Sequence, residues 1–288
     1  MTAIIDAIVE WIKGILIAGI SANLSNLFGD VNTRVGEIAA QVGSTPQSWN
    51  ASIFSMIQAL SENVVLPIAG IIITYVLCIE LITMVLEKNS FNDNVDSFMF
   101  FKYVFKAAIA IFIVSQTFNI TMAIFDVAQH LVNRAAGVIS GETAIDINAA
   151  IAAMNLDAYG IPELMLLLIE TLIIQLCMKI MGIIITVILY GRMIEIYLTC
   201  SIAPIPMATM ANKEWSQMGN NYLRSLMALA FQGFFLLLCV GIYAVLVNSM
   251  ITAANIHAAI FQVAAYTVML CFAMLKTGSL SKSVFNAH

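Results

Sequence analysis

The sequence predicts an all-α integral membrane protein of about five transmembrane helices preceded by N-terminal amphipathic helices. Three observations carry that prediction. Of the 288 residues, 61% are hydrophobic and only 10% are charged, whereas soluble domains run at roughly 45–50% and about 25%. The mean hydropathy is +0.95. Apolar runs long enough to cross a bilayer as helices, about 20 residues each, recur five times along the chain.

The elements are taken in chain order. Within residues 1–22, Ile4, Ile5, Ile8, Trp11, Ile12, Ile15 and Leu16 share one helical face and Asp6, Glu10 and Lys13 the other, the pattern of a helix lying in the membrane interface. A tilted span with the charges buried in a bundle is the alternative. A second stretch places Leu24, Leu27, Val31, Val35, Ile38 and Val42 at helical spacing and stops at Gly43. A third opens with Thr45 as N-cap and Pro46 at the first helical position, then runs through Trp49, Ile53, Met56, Ile57 and Leu60. Residues 1–62 are therefore expected to form an amphipathic helical module at the outer membrane face.

Five spans are expected after it, over about 64–86, 107–127, 162–190, 225–247 and 258–275. Pro67 falls in the opening turn of the first, where proline is tolerated. Phe98, Phe100, Phe101, Tyr103 and Phe105 form an aromatic belt around Lys102 and Lys106 ahead of the second. The polar segment 134–160, with Gly137, Ser140, Gly141 and Asp146, separates spans two and three. From Pro162 the third run stays apolar to Cys200, on the order of 60 Å as one helix, about twice the hydrocarbon thickness. Pro204 and Pro206 end it, inside an expected cytoplasmic loop over 191–224. Asn248, Asn255 and His257 mark the link between the last two spans.

Orientation is set by the Lys/Arg bias. With the first inter-span loop inside, Lys88, Lys102, Lys106, Arg192, Lys213, Arg224, Lys276 and Lys282 are cytoplasmic, while Lys13, Arg34 and Arg134 are outside. The N-terminus is then outside and the C-terminus in the cytoplasm. The first twelve residues carry Asp6 and Glu10 and no Lys or Arg, so a cleaved signal peptide is not expected.

Function has to be sought among ionisable groups, because each costs about 2.5–3.5 kcal/mol at mid-membrane on the insertion scale. Glu80, Glu170 and Lys179 qualify. Glu80 and Lys179 lie at similar depths and are expected to form a structural pair, or the lysine to snorkel to the interface, or, alternatively, both to line an aqueous path. Glu163 and Glu170 share one helix face, with Lys179 turned roughly opposite to Glu170. Arg192 and Glu195, three apart, are spaced for a solvated pair. Gln232, Asn248 and Gln262 suit hydrogen bonding between helices.

Enzyme and cofactor signatures do not accumulate. The five cysteines, Cys78, Cys177, Cys200, Cys239 and Cys271, stand in or beside apolar segments without metal or redox spacing. No HExxH, CxxC, P-loop or GxGD pattern occurs, His130, His257 and His288 are scattered, and Ser279 lacks a nucleophile elbow. The net charge of −5 argues against an extended nucleic-acid-binding surface.

One longer stretch is more specific. Residues 190–226 read YGRMIEIYLTCSIAPIPMATMANKEWSQMGNNYLRSL, and residues 275–288 read LKTGSLSKSVFNAH. Together with SENVVLPIAGIIITYVL and FFKYVFKAAIAIFIVSQTFNI, these resemble the TrbL family of type IV secretion systems, as found in conjugative elements of Gram-positive bacteria. The resemblance extends over nearly the whole chain and rests on sequence texture. It implies a subunit of the conjugation machine's inner-membrane channel, a homo-oligomeric ring that works with the coupling and assembly ATPases to pass a relaxase-bound single DNA strand. It implies no metal, nucleotide or prosthetic group. Lys213, Trp215 and Arg224 in the inner loop, with Arg192 and Glu195 beside it, are the candidate contacts. An aromatic with flanking cations serves single-stranded DNA, ATPase docking or lipid headgroups equally well. A secondary transporter or solute channel subunit is the competing reading. An odd number of spans without a visible repeat speaks against it, and an intramembrane enzyme lacks a nucleophile or metal site to join its glutamates.

Overall fold

The computed structural model describes residues 2–87, 97–139, 147–250 and 256–287. Lys88, Ser140, Gly141, Asp146, Asn255 and His288, to which the sequence assigns loop, breaker or scattered-residue roles, lie outside the described residues. Every regular element among the described residues is helical: α1 Thr2–Val42, α2 Pro46–Trp49, α3 Ala51–Leu60, α4 Leu66–Glu87, α5 Ser97–Ser115, α6 Thr117–Ile139, α7 Ile147–Ala153, α8 Ile161–Ser201, α9 Pro204–Ala208, α10 Ser216–Met250 and α11 Ile256–Val284. The protein is an all-α membrane protein. Four helices among the described residues are long and apolar enough to cross a bilayer, Ala51–Leu86, Ile161–Ser201, Ser216–Ser249 and Ile256–Val284, and the α5–α6 pair makes a fifth when counted as one bent span.

Three details differ from the sequence-based expectation. The two amphipathic stretches expected at the N-terminus are one helix, α1, of 41 residues. No proline interrupts it, and Ile20, Leu24, Leu27, Val31, Ile38 and Val42 are all buried at helical spacing, so packing carries the helix past residue 22 without a break.

The helix that contains the first expected span begins earlier than residue 64, because α3 runs into α4 through a π-helical turn at Ser61–Val65. Pro67 stands just beyond that turn and cannot donate to the carbonyl of Asn63; one extra residue in the turn accommodates the lost bond.

The helix pair at the second expected span is bent by 66° between α5 and α6. Neither proline nor glycine stands at the bend. Instead, Ser115 Oγ donates to the Phe112 carbonyl at 2.8 Å, Thr117 Oγ1 to that of Ile113 at 2.9 Å and Thr121 Oγ1 to that of Thr117 at 2.8 Å. Successive hydroxyls bonding back to the helix's own carbonyls compete with its ladder and bend it.

The chain divides into two compact units, and residues 1–62 are shared between them. One comprises Met1–Gly43, Val132–Tyr190 and Phe234–Thr277; the other comprises Ser44–Leu131, Gly191–Gly233 and Gly278–His288. In the first, Leu24 and Leu27 of α1 pack with Leu164 and Leu167 of α8, Leu236 and Leu237 of α10 and Ile260 of α11. Lys13 Nζ donates to the Asp157 carbonyl at 2.6 Å. Gln175 Nε2 donates to the Asn23 carbonyl at 2.9 Å, and Asn23 Nδ2 donates to Thr171 Oγ1 at 3.1 Å.

The second unit has two buried clusters. Ile57, Phe118, Phe125, Ile196 and Leu226 form one, while Ala69, Ile73 and Val76 of α4 join Met207, Ala208 and Ala211 in the other. Thr45 caps α2 as the sequence predicts, its hydroxyl accepting from the Ser48 N–H at 3.0 Å. Tyr197 ties that short helix down, its hydroxyl donating to the Pro46 carbonyl at 2.6 Å.

Candidate functional site

The region between α8 and α10, expected from the sequence to be part of a cytoplasmic loop, is largely interior to the second unit. Pro204, Pro206, Met207, Ala208, Thr209, Ala211 and Asn212 are buried. The segment is apolar, so burial is favourable; its two prolines prevent a continuous helix and leave a short helical turn that fits against α4 and α5. Gly219 on α10 permits the close approach: a Cβ there would stand 2.1 Å from Met210 Cγ and 2.7 Å from the Pro206 carbonyl oxygen.

Asn212 ends this buried segment and organises the entry into α10. Its Oδ1 accepts from the Glu214 N–H at 2.8 Å and the Trp215 N–H at 3.3 Å, which starts α10 with a side-chain turn. Its Nδ2 donates to Glu80 Oε2 at 3.0 Å. The other oxygen, Glu80 Oε1, lies 2.5 Å from Lys106 Nζ on α5. The partner of Glu80 is thus Lys106, and not Lys179 as the matching depths suggest. Lys179 belongs to the first unit, and its side chain is exposed. Tyr103, one turn before Lys106, donates its hydroxyl to the Leu77 carbonyl at 2.9 Å, a second tie between α5 and α4.

Beside this network Trp215 is 42% exposed and lies against Tyr75, with ring centroids 5.9 Å apart. Lys213 and Arg224 are exposed. These three candidate contacts are therefore available at the surface of the second unit.

Arg192 is not: it is buried, and its Nε has no hydrogen-bond partner among the described residues. Glu195 pairs with Lys282 of α11 at 3.6 Å instead of with Arg192. The reason is helical geometry. Arg192 shares the inward face with Met193, Ile196 and Tyr197, whereas Glu195 points outward.

The first unit holds a second acid–base pair. Glu170 Oε2 and His257 Nδ1 are 2.5 Å apart, both partly buried. Lys106, Asn212 and His257 are the participants that sequence reasoning misses. In the sequence Lys106 reads as a loop charge and His257 as part of a polar link. For Asn212 a signal is present, since asparagine favours turns in which its side chain bonds the backbone two residues on. Among the described residues no group of three or more His, Cys, Asp or Glu stands in position to hold a metal ion.

The chain is a polytopic helical membrane protein whose polar groups at these positions tie helices together. The family is more specific. A family model for TrbL/VirB6 plasmid conjugal transfer like protein matches residues 31–204, and the chain belongs to that family as a TrbL-type subunit of type IV secretion. No curated protein matches, and no solved structure matches.

Proposed function

We propose that the chain is a non-enzymatic channel or scaffold subunit in the inner membrane of the conjugation machine. In this reading it acts as a homo-oligomeric ring beside the coupling and assembly ATPases and helps a relaxase-bound single DNA strand cross the membrane. The observation that carries the proposal is membership of the conjugal-transfer family over residues 31–204. The set of long apolar helices supports it, since such a subunit must be embedded in the bilayer it helps to breach.

In the same reading the N-terminus lies outside and the C-terminus in the cytoplasm, on the strength of the Lys/Arg bias. Residues 1–62 serve at the outer face, where exposed Ile4, Ile8 and Trp11 of α1 rest in the interface. Partner contact falls to Lys213, Trp215 and Arg224 together with the Glu195–Lys282 pair, through stacking and charge toward a strand or through docking of an ATPase. Arg192, buried, supports the helix face behind them.

The test is formaldehyde crosslinking in living donor cells during conjugation, followed by immunoprecipitation of this protein and amplification of the transferred strand, with the coupling ATPase deleted as control. The expected result is recovery only when the ATPase is present, reduced about tenfold by Lys213→Glu with Arg224→Glu. Transfer that proceeds without recovery assigns the protein to the scaffold. Transfer that survives deletion of the gene overturns the reading.

A further inference from the structure

Within the second unit, a cavity of about 300 Å³ opens where two irregular helices come together, with Ser61, Glu62, Ser115, Gln116, Asn119 and Pro204 in its wall. One side is the π-helical turn Ser61–Val65; the other is the 66° bend between α5 and α6. Both features loosen the regular backbone ladder, and broken helices of this kind are how membrane proteins present carbonyl oxygens to an ion.

Ser61 is the informative residue. Its side chain is completely buried, and its hydroxyl has no hydrogen-bond partner among the described residues. Neighbouring hydroxyls behave differently: Thr74, Ser115, Thr117 and Thr121 each donate to a helix carbonyl three or four residues back. A buried hydroxyl left without a partner costs about 1–3 kcal/mol, and Ser61 is among the residues that line the cavity.

The remaining groups define the ligand. Glu62 is exposed at the mouth of the cavity, accepts from Gln58 Nε2 at 2.9 Å and forms no ion pair among the described residues. Asn119 Nδ2 donates to Gln116 Oε1 at 2.8 Å. The residues of the wall therefore offer one carboxylate with hydroxyl and amide groups, and no Lys, Arg or His. A carboxylate repels an anion. Hard oxygen ligands favour a hard cation, and a single negative charge matches a monovalent ion better than a divalent one, which gathers several carboxylates.

We propose that this cavity binds a monovalent alkali cation, sodium or potassium, with the Glu62 carboxylate and the Ser61 hydroxyl among its ligands. The site is independent of the role in conjugation and is tested on the purified protein.

The experiment is thermal unfolding of the full-length protein in detergent, in sodium, potassium or choline chloride at matched ionic strength. The expected result is a Tm about 5 °C higher in one alkali chloride than in choline at roughly a hundred times Kd. That difference should disappear in Ser61→Ala and in Glu62→Gln but persist in Glu10→Gln, a carboxylate of α1 in the other unit. Sodium-23 line broadening by the wild-type protein, beyond that of empty micelles and reversed by excess potassium, provides a readout that needs no variant. Equal melting in all three salts with no excess broadening means that the cavity holds only water and overturns the proposal. An ion-dependent shift that survives in both variants also overturns it, by placing the ion elsewhere.

Discussion

Lys106 on α5 and Glu80 on α4 meet at 2.5 Å, and the second carboxylate oxygen of Glu80 accepts from Asn212 at 3.0 Å. One side chain thus joins three stretches far apart in sequence. Glu80 is only 23% exposed and Lys106 43% exposed. A carboxylate in an apolar span is costly alone, so its partners determine whether it is tolerated.

Lys106→Met leaves Glu80 with one of its two partners and is expected to destabilise the protein by about 1–2 kcal/mol, discounted from the buried-pair range for the exposure of the lysine. Glu80→Gln should cost less, because the amide oxygen still accepts from Asn212. Detergent unfolding of both single variants and the double variant would give the coupling energy, expected near ~1 kcal/mol.

At Gly219 the expected effect is larger. Gly219→Val brings a branched side chain against Met210 and the Pro206 carbonyl, and backbone cannot yield as a flexible side chain can; a loss of about 3 kcal/mol or failure to fold is predicted. Gly36 has nothing within 4 Å of the position a Cβ would occupy. Gly36→Ala is therefore expected to raise stability by about 0.5–1 kcal/mol. The two melting temperatures should move in opposite directions.

Removing the hydroxyl of Tyr197 releases α2 from its anchor without creating a large cavity. Tyr197→Phe is predicted to cost about 1 kcal/mol. Amide exchange at Ser48 and Trp49 should accelerate while exchange in α10 stays unchanged.

The proposed orientation can be read with a membrane-impermeant maleimide on intact cells, after replacing the native cysteines. Asp157→Cys is expected to label from outside, and Glu214→Cys only after the cells are opened. Both positions are exposed, so protection reports the membrane side and not burial. The reverse pattern would invert the topology.

The spans are legible in the sequence because an apolar run of bilayer length has few other readings, and α8, α10 and α11 cover their expected segments. What escapes is the detail within and between helices. The bend near Gln116 depends on hydroxyls at Ser115, Thr117 and Thr121 choosing their own helix's carbonyls, a choice that composition does not determine. Glu80 illustrates the second difficulty. Matching depth along two spans suggests Lys179, but depth says nothing about which helices are neighbours, and Lys106 is the cation that α5 delivers. The packing of 204–212 escapes because prolines signal a chain break without saying whether the broken segment is solvated or buried. Trp215, Lys213 and Arg224 are exposed, whereas Arg192 is buried because it lies on the inward face of α8.

The division of the chain also constrains the order of biosynthesis. Each unit is assembled from three separated stretches, and the last of each, Phe234–Thr277 in one and Gly278–His288 in the other, is made after everything it packs with. Within the second, Ser281 Oγ donates to the Ala228 carbonyl at 2.5 Å. Neither unit can therefore close while the ribosome is still producing α10. Helices inserted early must wait in the bilayer with Glu80 and Arg192 already made and their later partners still to come.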